Sequence, residues 1–185
     1  TALRHDAGLA AAKVNVFLRQ LVEKSGGVAT VGCIEFKPNA INVIPSKAVF
    51  TVDLRNPDKE KLDNDEKILA AYLKDLAKED DVKISTERLT EFDPVPFDEG
   101  IVEKVEKAAK AHGLSVRRIT SGAGQDAQMI ARICPTAMIF VPSVKGISHN
   151  PEEYTKDEDV LAGAGVFLDV VMDMAVVGVP AARNN

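Results

Sequence analysis

The order of apolar patterns in the first half of this chain constrains its fold more than any single motif does. From Asp6 to about Lys24, Ala10, Val14, Phe17, Leu18 and Leu21 recur at intervals of three and four. That spacing predicts an amphipathic helix, stopped by Ser25-Gly26-Gly27. The run VATVGCIEFKP then predicts a strand with Val28, Ile34 and Phe36 on one face, and Pro38-Asn39 opens a loop through Pro45. AVFTVDLR alternates: Phe50, Val52 and Leu54 on one side, Thr51, Asp53 and Arg55 on the other. This is the signature of a half-buried antiparallel strand. Asn56-Pro57-Asp58 opens a second helix with Leu62, Leu69, Tyr72, Leu73 and Leu76 as its stripe, closing near Asp80, and DVKISTERL predicts a third strand. The order α-β-β-α-β is the split β-α-β-β-α-β unit without its first strand. A sheet short of one strand bares an edge that proteins usually cover, so the chain reads as beginning inside a domain.

The segment TEFDPVPFD, with two prolines and three acids, predicts a linker. Beyond it come a helix carrying Ile101, Val102, Val105, Ala108 and Ala109, a short strand near Val116 to Ile119, the loop SGAGQDA and a helix through Ile133. AMIFV is apolar without alternation, which predicts a parallel strand covered on both faces. The last helix has Val160, Ala164, Phe167, Leu168, Val171 and Ala175 on one stripe, and the tail VPAARNN is expected to fray.

Composition narrows the function classes. A chain of 185 residues with 45% hydrophobic content can bury a real core. Its 23 basic and 28 acidic residues give a net charge of -5 with no long block of either sign, which argues against nucleic acid as a partner. Cys33 and Cys134 fit no disulfide framework or zinc-ribbon spacing, and are expected to be small buried residues in a reducing cytoplasm. The opening TALRHDAGLAAAK lacks signal-peptide order, and no apolar run approaches the ~18 residues of a membrane span.

Three groups of residues could carry chemistry. His149, in GISHNPEEYT, follows a predicted parallel strand, at the edge where α/β sites form. A metal would need two or three further ligands converging on it; otherwise His149 is a loop or capping residue. His5 and His112 are poor mates, one beside a helix start and one at a helix end. In SGAGQDA, Gly122 and Gly124 would let a ligand approach the backbone, with Gln125 or Asp126 at the next helix start. The loop matches neither GxGxxG nor a P-loop, and the alternative is a tight turn capped by Asp126. The third group is Asn39, Asn42 and Arg55. Arg55 could clamp a carboxylate with its guanidinium fork, or simply pair with Asp53 or Asp58.

Taken together, KPNAINVIPSKAVFTVDLRNPD, TSGAGQDAQMIARICPTAMIFVPS and GISHNPEEYT resemble the metal-dependent N-carbamoyl-L-amino-acid amidohydrolases of the M20 metallopeptidase-like group. The resemblance implies an α/β catalytic domain with two divalent metal ions (zinc, manganese or cobalt), interrupted by a ferredoxin-like α+β lid that forms a homodimer. Residues 1–92 would be the lid, first strand missing, and 93–185 the C-terminal part of the catalytic domain. By the same resemblance, His149 matches the last metal ligand, the one ligand this chain supplies. Asn42 and Arg55 match lid residues that grip the substrate carboxylate, and Gly122, Ala123, Gly124 and Gln125 match a substrate-contacting loop. Many relatives carry histidine where Gln125 stands; glutamine can hydrogen-bond but cannot carry a proton at neutral pH. The family's other ligands, its general-base glutamate and a lid histidine are expected upstream of Thr1, which would leave this chain inactive alone. The implied reaction is hydrolysis of the carbamoyl C–N bond of N-carbamoyl-L-amino acids to L-amino acid, carbon dioxide and ammonia. The alternatives are another amidohydrolase of the group, such as a β-ureidopropionase, allantoate amidohydrolase or aminoacylase, or a non-catalytic module that dimerises or binds a small molecule.

Overall fold

Helix α1 (Ala7–Ser25) begins where the sequence puts a cap: the Asp6 carboxylate accepts the N–H groups of Gly8 and Leu9 at 2.9 and 3.0 Å. It ends at Gly26, whose φ of 78° gives the left-handed closing position to the one residue that, lacking a Cβ, adopts it without strain. These coordinates are a computed structural model that describes Thr1 and residues 3–177; the tail expected at VPAARNN lies outside them. The chain is mixed α/β, mostly helical with small sheets, and divides into two compact units, Thr1–Pro94 and Val95–Asn185.

In the first unit β1 (Val28–Thr30), β2 (Ile34–Lys37), β3 (Lys47–Phe50) and β4 (Asp53–Arg55) form two antiparallel ladders, β1 with β4 and β2 with β3. The registers pair Thr30 with Asp53 and Ile34 with Phe50, so the three residues 31–33 face the two residues 51–52. This is a β-bulge in one long hairpin, bridged by the Thr51 N–H to the Cys33 carbonyl at 3.1 Å. It corrects the expectation of one continuous face. One extra residue flips the parity of the strand, so Ala29 and Val31 turn to the core before the bulge and Phe36 turns inward after it. Val28, expected beside Ile34 and Phe36, is 57% exposed, and Ile34 is exposed as well, which leaves Phe36 as the half-buried member of the three. On the bulge-free arm, Phe50 and Leu54 turn inward as expected, whereas Val52, expected beside them, falls opposite the bulge and is exposed.

Helix α2 (Lys59–Glu79) is capped by Asp58, which accepts from Glu60 and Lys61. Its stripe packs Leu69, Tyr72, Leu73 and Leu76 against Ala10, Val14 and Leu18 of α1. Phe17 and Tyr72 stack with centroids 3.7 Å apart. Leu18 and Leu76 are fully buried, and so is Asp65, an acid the stripe did not single out, whose Oδ2 has no partner among the described residues. The third strand expected in DVKISTERL does not form. Val82 and Ile84 still alternate onto the core, but the segment enters no ladder. A strand needs a hydrogen-bonded neighbour, and neither ladder among the described residues offers it one. Lys59 gathers Asp63, Glu91 and Asp93 at 3.0, 3.2 and 2.9 Å, which ties the segment after α2 back onto that helix.

The second unit contains α3 (Glu99–Ala111), α4 (Asp126–Ile130), one 3₁₀ turn at Val144–Gly146 and α5 (Asp157–Val177). Asp98 caps α3 by accepting the Ile101 N–H at 3.0 Å. Among the described residues it has no strand, which corrects the expectation at Val116 to Ile119 and at AMIFV. The apolar run is covered on one side only: Val141 packs on α5, where a Cβ at Gly163 would sit 2.4 Å from its Cγ1, yet Phe140 is 48% exposed. A strand needs a hydrogen-bonded neighbour, and no described segment supplies one. The stripe of α5 is corrected as well. Val166 and Val170 are the buried residues, whereas Val160, Phe167, Leu168 and Val171 are exposed. The helix is apolar on two faces, and the described residues cover the one that carries Val166 and Val170.

Candidate functional site

His149 lies in a loop closed at its base by the Val144 N–H to the Tyr154 carbonyl at 2.8 Å. Its φ of 55° is left-handed, a conformation in which histidine is found more readily than most residues. The Glu153 carboxylate accepts the His149 N–H at 2.7 Å. Within the same turn, Glu152 donates its N–H to Asn150 Oδ1 and Glu153 donates its own to the Asn150 carbonyl, both at 2.9 Å. The imidazole is left exposed at the loop surface. Sequence reasoning missed Glu153; the signal was its place four residues beyond His149, after the Asn-Pro turn.

The SGAGQDA loop leads into α4 with Gln125, not Asp126, in the cap position, and no side chain caps the helix. Ser121 instead donates its hydroxyl to the Ala123 carbonyl at 3.3 Å and accepts the Ala123 N–H at 3.4 Å. Neither Gly122 nor Gly124 has a left-handed φ, and a Cβ at either would have nothing within 4 Å. Neither backbone strain nor packing within the described residues therefore demands glycine there. Gln125 is exposed.

Asn42 and Arg55 do not come together. Arg55 pairs with Val28 at one end of the hairpin, while Lys47 pairs with Lys37 at the other, just before the loop that carries Asn42. The arm from Lys47 to Arg55 spans roughly 26 Å at about 3.3 Å per residue. The Arg55 end is fixed against the helix: a Cβ on Gly27 would lie 2.6 Å from the Arg55 carbonyl, so only glycine fits. The Arg55 guanidinium makes a fork to Asp53, Nε to Oδ1 at 2.8 Å and Nη2 to Oδ2 at 2.5 Å. That fork holds the Asp53 carboxyl below the usual carboxylate range and raises the guanidinium in return. Asn39 stands at φ 55° just after the cis Lys37-Pro38 bond.

No group of three or more His, Cys, Asp or Glu side chains converges among the described residues. His5 bonds the Asp81 carbonyl at 2.9 Å, and His112 bonds Asp169 at 2.8 Å. Cys33 and Cys134 are free and exposed, against the expectation of burial, Cys33 because it sits in the bulge. No helix among the described residues is long and apolar enough to cross a membrane.

The arginine-bearing hairpin lies in the first unit, and the exposed histidine loop and open glycine loop lie in the second. The chain belongs to peptidase family M20/M25/M40, whose profile matches residues 5–173. It is 40% identical over 175 residues to an N-carbamoyl-L-amino-acid amidohydrolase of Rhizobium meliloti, covering 94% of this chain and 42% of that protein. It is 38% identical over 168 residues to a ureidoglycolate hydrolase of Arabidopsis thaliana, covering 89% of this chain and 35% of that one. A crystal structure of a hydantoinase/carbamoylase family amidase from Burkholderia multivorans superposes with a TM-score of 0.86 at 38% identity, over 93% of this chain and 42% of that one. The chain thus spans less than half the length of these relatives. Its family implies divalent metals in the intact enzymes; no group of three or more His, Cys, Asp or Glu among the described residues could hold one by itself.

Proposed function

We propose that this chain is the substrate-gripping part of an amidohydrolase that cleaves the carbamoyl C–N bond of N-carbamoyl-L-amino acids. The observation that supports this reading is the 40% identity to the Rhizobium meliloti amidohydrolase over nearly the whole chain. Ureidoglycolate and allantoate hydrolases are related at similar identity, so the group on the amino nitrogen is the finer part of the proposal. The first unit would be a ferredoxin-like lid and dimerisation domain, and the second the C-terminal part of the catalytic domain.

In this reading Arg55 exchanges Asp53 for the substrate carboxylate, which offers its fork the same bidentate geometry. The Lys47–Arg55 arm, roughly 26 Å long, puts the base of the Asn42 loop at the end of the hairpin away from Arg55, so in this reading one carboxylate meets both residues when Asn42 comes from a second copy. That requirement favours a homodimer built through the first unit. Gly122, Ala123 and Gly124 leave room for the substrate, with the Gln125 amide as donor and acceptor beside it. His149 would supply one ligand to a divalent metal completed by the longer polypeptide; such an ion, when bound, would supply Lewis-acid chemistry toward water and the scissile carbonyl.

The test is product release from N-carbamoyl-L-amino acids, allantoate and ureidoglycolate, with manganese or zinc added. It is measured on the 185-residue chain and on a longer polypeptide that carries it. The expected result is no turnover by the chain alone and release from carbamoyl amino acids by the longer form, whose metal content falls on His149→Ala. Turnover by the chain alone would overturn the single-ligand reading of His149. A preference for allantoate would move the substrate assignment, and inertness of the longer form on all three would favour a non-catalytic binding module.

A further inference from the structure

The hydrogen bonds of the His149 loop support a residue role that the site description does not use. His149 occupies the left-handed region at φ 55°, and a side chain there leaves the backbone in a direction quite unlike that of an extended residue. Left-handed backbone costs a residue with a Cβ about 1–2 kcal/mol, so something must hold it. The main-chain closures of the loop, Val144 to Tyr154 and Glu153 to Asn150, fix its ends and its Asn-Pro turn but do not reach the His149 amide. The one bond at that amide is the 2.7 Å contact from the His149 N–H to Glu153 Oε2. An amide bonded to a carboxylate is about twice as strongly held as one bonded to a neutral acceptor.

We propose that Glu153 is a positioning residue for His149, its carboxylate anchoring the histidine amide and so setting the direction in which the imidazole leaves the loop. This inference rests on the proposed role of His149 as a ligand only for its functional meaning; the anchoring itself is a property of the loop. A ligand histidine contributes to a shared site only if its ring arrives at one orientation, and ligand rings are commonly fixed by a second bond at the ring itself. Here the ring is exposed, and the fixing is done one step back, at the main chain.

The experiment uses the 185-residue chain and nuclear magnetic resonance of Glu153→Gln and Glu153→Ala beside the parent protein. In the parent, the His149 amide proton is expected downfield and its exchange with solvent slowed, with one set of contacts from the imidazole to the rest of the loop. Glu153→Ala should move the amide upfield, speed its exchange about tenfold or more, and average the ring contacts. Glu153→Gln keeps an acceptor without the charge and should fall between the two, which also covers the case in which the alanine variant folds poorly. A His149 amide and ring unchanged in Glu153→Ala would overturn the proposal, as would an amide that shifts while the ring contacts stay in place. None of these readouts depends on a metal or on turnover. If His149→Ala later leaves the metal content of the longer polypeptide intact, the ligand reading fails while the anchoring result stands.

Discussion

Replacing Val166 with alanine, and separately Leu161, asks which face of α5 is packed. Val166 keeps 3% of its surface exposed and Leu161 72%. Trimming a buried valine removes two carbons at about 0.8 kcal/mol each, and the cavity left behind adds about 1 kcal/mol, so Val166→Ala should cost about 2.5 kcal/mol. Leu161→Ala removes three carbons, but with only about a quarter of the side chain covered the loss is about 0.6 kcal/mol. The better helix propensity of alanine returns a few tenths of that. For a unit of this size about 2.5 kcal/mol corresponds to a fall in midpoint of roughly 10–20 °C, against at most about 4 °C for the exposed site. Hydrogen exchange followed in peptides of α3 and α5 keeps the readout within the second unit, and thermal unfolding by circular dichroism gives the midpoint. If Leu161→Ala costs as much as Val166→Ala, Leu161 is packed and the structural assignment of the buried helix face is wrong.

Gly122→Ala should leave the unfolding midpoint within about 0.5 kcal/mol of the parent, since nothing lies within 4 Å of the new methyl, while lowering turnover in the longer polypeptide; a loss of stability would return the glycine to a structural role. Arg55→Ala should raise KM in the longer form with metal content unchanged, and an unaltered KM would remove Arg55 from the substrate. Asp65→Ala should stabilise the first unit by about 1–3 kcal/mol in urea unfolding, because a buried carboxylate oxygen without a partner is removed; destabilisation would reveal a partner such as bound water. The folded Asp53 carboxyl is depressed by Arg55, so the stability from this pair is present above the ordinary carboxylate pKa and lost as pH falls through the depressed value. In Asp53→Asn the acid limb of the stability curve should flatten slightly, and an unchanged limb would mean the pair contributes nothing.

Helices were legible because their determinants are local. Asp6, Asp58 and Asp98 cap the three long helices that follow them, and the α2 stripe packs as its spacing predicts. Strands depend on neighbours, and there the reading failed in a patterned way. A single extra residue at 31–33 was invisible to a count of alternation and reversed the face of Val28. DVKISTERL and AMIFV have strand composition but no described edge to bond. The α5 stripe was misread because a helix apolar on two faces gives periodicity no unique answer. At the candidate site, residue types were readable in the motifs, but the placement of Asn42 and Arg55 toward opposite ends of the hairpin leaves no mark in spacing, since thirteen positions fit a close pair as well as a distant one.

The length of the hairpin has a consequence in mass action. If one carboxylate must be held by Arg55 of one copy and Asn42 of another, specific activity becomes a function of protein concentration. It should fall on dilution below the dimer dissociation constant and recover on mixing an Arg55 variant with an Asn42 variant, because one of the two mixed sites is then intact. Assembly would act as a switch on turnover, with no allosteric transition required to throw it.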